Sequence, residues 1–292
     1  MKNKLFIILA ALAALTLAGC AASGADDGVQ QLPGGEEIVG EGAPGDGDPE
    51  GGDGEDIPVT GGGDGGEARP EPEPEQPPAV EYKKYVTLTA DGVNIRKGAG
   101  TNYSVLGAAE KATSYIYLGE ENGFYKVYYK NSIAYISKKY SKIDSMQASP
   151  DEQVESVIYE GTKLLGTTYV YGATRYHDGK GNKIKGFTLS AFDCSSLMQY
   201  MFYMGADGHL LGLTTRNQVL QGTTVARSDL QRGDLMFFTN AQRYNKKGVE
   251  RIGHVALYLG DNLILHTASD YAKIEEISAT RWKYYIQAQR MV

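Results

Sequence analysis

Hydrophobic and polar positions divide this chain into four stretches of different period. Leu5 to Leu17 is an almost unbroken apolar run behind Lys2 and Lys4. From Ala21 to Glu81 apolar residues are sparse and follow no period. Such a stretch cannot bury enough surface to offset chain entropy, so a disordered tether is expected, flexible where glycine dominates and stiffer through the Pro-Glu repeats. Residues 83–143 carry short β-rich runs, Tyr85–Thr89, Tyr115–Leu118, Phe124–Tyr129 and Ile133–Ile136, broken by Asp91-Gly92, Asn122-Gly123 and Asn131. Strands at that spacing predict a small barrel. After Ser149 the period lengthens: Val154, Val157, Ile158, Gly161, Leu164 and Leu165 share one helix face behind the start signal Ser149-Pro150-Asp151-Glu152. Leu197, Met198, Met201 and Phe202 repeat that spacing directly after Cys194. They place the cysteine in the first turn of a helix.

Val255–Leu259 and Leu263–Leu265, parted by Gly260-Asp261-Asn262, predict a hairpin. With those three residues as the loop, Ala256 opposes His266, and His254 shares the face of Ala256. The two histidines then become diagonal neighbours about 7 to 8 Å apart at the backbone. A two-residue turn would put them on opposite faces. A helix-start cysteine matters chemically because the positive helix end favours thiolate, so a depressed thiol pKa is expected. His177, in the polar insert Asp178-Gly179-Lys180-Gly181-Asn182, and His209, near a Gly-rich bend, read as solvent histidines.

Charge and cysteine count sharpen this. The chain of 292 residues has a net charge of −7, yet residues 21–81 hold 17 acidic residues against Arg69 alone, so residues 82–292 are net positive by about 7. A basic globular part suits an anionic polymer such as a cell wall. Without a clustered Lys/Arg stripe, nucleic acid is not an expected partner. The charged start, short apolar run and small residues up to Gly19 follow the plan of a secretory signal, with an uncleaved anchor helix as the competing reading. The only cysteines are Cys20 and Cys194. A lone thiol in an exported protein points to use as a thiol, with a buried structural cysteine as the alternative. One cysteine and two strand histidines without a matched carboxylate do not make a zinc set, so neither a metal nor another cofactor is expected.

Three resemblances follow from these residues. Leu17-Ala18-Gly19-Cys20 resembles the bacterial lipoprotein box, which implies cleavage before Cys20, a lipid on its sulfur and a mature chain held on a membrane outside the cytoplasm. Val93-Asn94-Ile95-Arg96, Gly123-Phe124-Tyr125-Lys126-Val127 and Ala134-Tyr135-Ile136-Ser137 resemble the bacterial SH3-like domain that often precedes wall hydrolases. Its many tyrosines either line a groove that stacks on glycan or stem peptide, or fill core and rim. Tyr169-Val170-Tyr171-Gly172, Phe192-Asp193-Cys194-Ser195-Ser196, the run from Leu230 to Phe238, Ile252-Gly253-His254-Val255-Ala256 and Leu263 to His266 resemble the NlpC-type cell-wall peptidases, a papain-like clan.

That last resemblance implies an α+β fold with the cysteine helix packed on an antiparallel sheet. It implies Cys194 as nucleophile, His254 as base and His266 as its orienter, with the Cys194 N–H and Tyr171 at the oxyanion. Tyr171, Asp193 and Ser195 are the implied substrate contacts, and in members specific for trimmed stems the latter two positions help hold a free amine. A helix N-cap is an equal reading of Asp193. The implied reaction is hydrolysis between γ-D-glutamate and a diamino acid of peptidoglycan stems, by a monomer. The expected plan is a signal at 1–19, the tether at 20–81, the SH3-like domain at 82–145 and the peptidase domain at 150–292. Departures from the family are Ser196 for glycine, Ala173 for a second glycine and Thr168 for proline. Inserts 174–189 and 240–250 adjoin the motifs and are placed to narrow the cleft. An inactive wall-binding lipoprotein, and a clan-related amidase or acyltransferase, stand as alternatives.

Overall fold

The computed structural model describes residues 80–292. The expected signal at 1–19, the lipid-bearing Cys20 and all but the last two residues of the 20–81 tether lie outside the described residues.

Eight strands open the structure: β1 (Tyr82–Leu88), β2 (Val93–Arg96), β3 (Val105–Ala109), β4 (Ser114–Ile116), β5 (Gly119–Glu121), β6 (Phe124–Tyr129), β7 (Ser132–Ser137) and β8 (Ser141–Gln147). They form two sheets, β4-β1-β8 and β3-β2-β7-β6-β5, closed on Tyr85, Leu88, Ile95, Tyr115, Val127 and Ile136. Lys130 and Asn131, at φ 51° and 58°, make the two-residue turn that joins β6 to β7. The sequence does not announce β8, whose Ser141–Gln147 lacks an alternating pattern. Pairing along the whole of β1, from Tyr82↔Gln147 to Leu88↔Ser141, holds it extended. The aromatic residues divide between both expected roles: Tyr115 and Tyr129 are buried, whereas Tyr103 and Tyr140 face solvent.

The remainder is α+β. In order come α1 (Glu152–Lys163), β9 (Thr168–Tyr169), β10 (Ala191–Phe192), α2 (Cys194–Gly205), α3 (Thr215–Gln218), β11 (Thr223–Val225), β12 (Leu235–Phe238), β13 (His254–Gly260), β14 (Leu263–Ala268), β15 (Tyr271–Glu276), α4 (Ala279–Tyr284) and β16 (Tyr285–Arg290). Asp151 caps α1 through the Gln153 N–H, as the start signal predicts. The strands make one sheet, β10-β9-β15-β14-β13-β12-β16-β11. Leu235, Phe237, Val255, Leu257 and Leu265 join the core that α1 and α2 cover. Met236, Phe238, Ala256, Ile264 and Ile277 form a second cluster, flanked by Tyr258, Trp282 and Tyr285. Apolar cover on both faces explains why β12 reads as an unbroken apolar run.

The barrel and the α+β part are tied by a buried ion pair. The Arg232 guanidinium, from the segment before β12, donates through Nη2 to the Tyr85 hydroxyl at 2.9 Å and to Glu155 of α1 at 3.1 Å, and through Nη1 to the Leu259 carbonyl at 2.8 Å. Nearby, the Tyr129 ring lies against Gly166, where φ is 84° and a Cβ would collide with the ring. The Lys130 N–H reaches the Leu165 carbonyl at 2.8 Å. Removing one partner of a buried pair strands the other charge, so Glu155→Leu should cost about 3 kcal/mol in denaturant unfolding. Arg232→Met combined with Glu155→Leu should restore most of that loss. A single-variant loss below about 1 kcal/mol would show that the pair is dispensable.

Candidate active site

The β13–β14 hairpin brings His254 and His266 together by a different route from the three-residue loop expected. The turn is the two-residue Asp261-Asn262, at φ 49° and 61°. A bulge between Tyr258 and Gly260 adds the missing residue, so that Leu257 pairs with Leu265. That register again sets Ala256 against His266, and both histidines share one face. His254 Nε2 lies 3.1 Å from His266 Nδ1.

The line extends one strand further. His266 Nε2 lies 2.9 Å from Oε1 of Glu275 on β15, and the same oxygen accepts from Arg281 Nη2 at 3.0 Å. Ile264 pairs with Glu275, so His266 and Glu275 are diagonal neighbours on one face, as His254 and His266 are. An ionised carboxylate only accepts hydrogen bonds, so Glu275 assigns the proton of His266 to Nε2. The Nδ1 of that neutral ring must then accept from His254 Nε2–H. His254 Nδ1 is left with its lone pair, in a ring that lines the same cavity as Cys194.

Burial sets the charges. It pushes His254 well below the ordinary histidine value, helped by His266 and Arg281, and it lowers His266 against the opposing hydrogen bond to Glu275. Burial would raise Glu275, but the His266 hydrogen bond and the Arg281 and Lys273 charges outweigh it and bring the carboxyl to about 2. The expected depression of the Cys194 thiol does not occur. Burial, followed by the neighbouring Asp193 charge, raises it to about 11, against the N–H groups of Val255, Ser195 and Cys194. Burial thus favours the uncharged form of both the thiol, at the first residue of α2, and the His254 ring that lines the same cavity.

Among the implied substrate contacts, Tyr171 lines a cavity beside Cys194 but is 86% exposed at its rim. Asp193 is buried and caps α2. Its Oδ1 accepts from Ser196 N at 2.8 Å and Ser195 Oγ at 3.0 Å, while Oδ2 accepts from Gly172 N at 3.1 Å and Arg175 Nη2 at 2.9 Å. Ser195 Oγ also takes Arg175 Nη2 at 3.1 Å. The N-cap reading of Asp193 is the one this geometry shows, with the Asp193 oxygens and the Ser195 hydroxyl engaged within the chain. Arg175, Glu275 and Tyr169, which lines both cavities at Cys194, are the residues that sequence reasoning missed. The alternating strand Ala272-Lys273-Ile274-Glu275 was the available signal for Glu275. His177 also differs from expectation: it is fully buried, with Nδ1 accepting from Gly179 N, because Tyr176 of the insert packs against Tyr200 and Tyr203 of α2.

Both histidines are held neutral in the fold but protonate near pH 6.5 when unfolded. Stability from this source is thus present above about pH 6.5 and declines as pH falls toward the folded values. Replacing Glu275 with Gln removes the charge that favours imidazolium. In an NMR titration it should lower the histidine pKa values further, and a rise would show that Glu275 does not face the pair.

Residues 166–291 match the NlpC/P60 family model and residues 91–142 the bacterial SH3 domain model. The chain is 28% identical over 201 residues to the γ-D-glutamyl-L-lysine dipeptidyl-peptidase of Bacillus subtilis (strain 168), covering 67% of this chain and 60% of that relative. It is 29% identical over 149 residues to the peptidoglycan DL-endopeptidase CwlO of Bacillus licheniformis, covering 50% of this chain and 29% of the relative. The chain thus spans less than two thirds of either relative. A solved structure of an NlpC/P60 family protein from Bacillus cereus ATCC 10987 aligns at 22% identity and a TM-score of 0.38, over 71% of this chain and 63% of the other. The chain carries an NlpC/P60-family domain behind a bacterial SH3 domain.

Proposed function

We propose that this protein is a cysteine peptidase of the bacterial cell wall that cuts stem peptides between γ-D-glutamate and a diamino acid. The observation that carries the proposal is the diagonal line from His254 through His266 to Glu275, whose His254 end lines one cavity with the thiol at the start of α2. As Cys194 sulfur attacks the scissile carbonyl, its proton passes to His254 Nδ1. The imidazolium so formed keeps its Nε2–H on His266, and the Glu275 charge behind that ring stabilises it. The oxyanion meets the Cys194 N–H at the positive end of α2. Collapse breaks the C–N bond, and the leaving amine takes the proton from His254. Water, deprotonated by the same nitrogen, then attacks the thioester and releases the acid and the thiol.

The bond assignment draws on the γ-D-glutamyl-L-lysine and DL-endopeptidase names of the relatives. The net positive charge of residues 82–292 suits an anionic wall, with the SH3 domain contributing to retention on glycan and stem peptide. Cys20 is proposed to carry the lipid that holds this monomer on the outer face of a membrane.

Cys194→Ala should abolish the release of stem fragments from purified sacculi while leaving the fold intact. His254→Ala should reduce kcat by about 10³-fold and His266→Ala by a smaller factor, about 10² or less. Mass spectrometry of the released fragments identifies the bond. Digestion that survives Cys194→Ala would overturn the nucleophile. Cys20→Ala should move the protein from the membrane to the soluble fraction, and unchanged association would favour an uncleaved anchor.

A further inference from the structure

Lys273 pairs directly with His266 across the β14–β15 ladder, so its side chain leaves β15 on the face that carries the histidines and Glu275. It is only 8% exposed, a depth at which a lysine keeps its charge only when paired. Its Nζ donates to Asp270 Oδ2 at 2.6 Å and lies 4.6 Å from the centre of the Tyr271 ring. It also lies 4.0 Å from Glu275 Oε2, the oxygen that neither His266 nor Arg281 takes.

A further partner comes from the barrel. Lys273 Nζ donates to Oε2 of Glu110, the residue that follows β3, at 3.2 Å. The backbone of Glu110 is fixed in its turn. Its carbonyl accepts from Thr113 N at 3.3 Å and Thr113 Oγ1 at 2.7 Å, and the next N–H, of Lys111, is held by Asp91 at 2.8 Å.

We infer that Lys273 is a positioning residue of the catalytic line, and that Glu110 of the barrel, acting through it, adjusts how readily the two histidines take up a proton. The inference rests on the peptidase reading and adds to it a part for the barrel in the chemistry itself.

Charge and distance carry it. Behind His266 stand two cations, Lys273 and Arg281, and three carboxylates, Glu275, Asp270 and Glu110. The Tyr271 hydroxyl and His254, which shares its cavity with Cys194, are the other titratable groups packed there. The Lys273 ammonium opposes a second positive charge on the ring across the ladder, while helping to keep Glu275 ionised. Burial disfavours that ammonium, but the Asp270 contact outweighs burial. Glu110 offsets part of the same charge. The ammonium and the barrel carboxylate therefore act on the histidines with opposite signs, whereas a contact that only fastens the two parts together would act with one.

The test is an NMR titration of the histidines in the full chain, together with the pH profile of kcat/KM on a synthetic stem peptide. Glu110→Gln should lower the His266 pKa by about 0.3 pH unit, a small shift because the Glu110 side chain is 58% exposed and screened. Lys273→Met should raise it by about 1 pH unit, the low end for a charge removed at close range. The acid limb of kcat/KM should follow each titration, with the plateau for Glu110→Gln kept within about twofold. Shifts of one sign in both variants, or a lost plateau with an unmoved acid limb, would overturn the inference and leave Lys273 a structural contact. Should Lys273→Met not fold, Glu110→Gln decides alone: a lowered His266 pKa supports the inference, and an unchanged or raised one overturns it. The titration needs no substrate, which separates this inference from the reaction. The expected shifts in a chain that cuts no stem peptide would leave the charge relation standing and remove the peptidase reading. Cleavage with unmoved titrations would do the reverse.

Discussion

Glu275 can only accept a hydrogen bond, and the chemistry available at Cys194 descends from that fact. The carboxylate fixes the proton of His266, His266 fixes that of His254, and the free lone pair of His254 is what remains for the thiol. Burial would raise the Glu275 carboxyl, but the His266 hydrogen bond and then the Arg281 charge on the same oxygen hold it down at about 2. Three adjacent strands must hold register for the line to exist. One bulge, between Tyr258 and Gly260, converts a two-residue turn into the odd offset that the two histidines need.

The site is built around neutral partners. Placement at the first turn of α2 favours a thiolate, but depth of burial and the Asp193 cap oppose it, and in this structure the opposition prevails. Asp193, which caps the helix, is thus also a charge that opposes thiolate at Cys194. A buried neutral thiol is also less prone to adventitious oxidation than an exposed thiolate. The tautomer of His254, the proposed base, is set from two strands away.

Both inserts act on the cleft. Residues 174–189 supply Arg175, which occupies Asp193 and Ser195, and bury Tyr176 and His177 against α2. Residues 240–250 supply Arg243 to the cavity that Asp193, Cys194 and Ser195 line, with Glu250 paired to it. Behind the sheet, the Arg232–Glu155–Tyr85 contact fastens the barrel to α1, so the two folded parts share one continuous core.

The sequence by itself determined what depends on local period. The apolar spacing after Cys194 sufficed to place it at a helix start, and the spacing after Ser149 to place α1 and its cap. The opposition of Ala256 and His266 was legible as an odd offset across the hairpin, but the bulge that supplies that offset was not. Tertiary structure alone decided the rest. Alternation along β15 sets Glu275 on one face with Lys273, but only the β14–β15 register brings that face to the histidines. β8 is a strand only because β1 offers it a full ladder. The direction of the Cys194 shift, the burial of His177 and the occupation of Asp193 by Arg175 each depend on how much water is excluded and which charge arrives from a distant loop. Those are properties of the packed chain, since desolvation and charge pairing act through space and leave no period in the sequence.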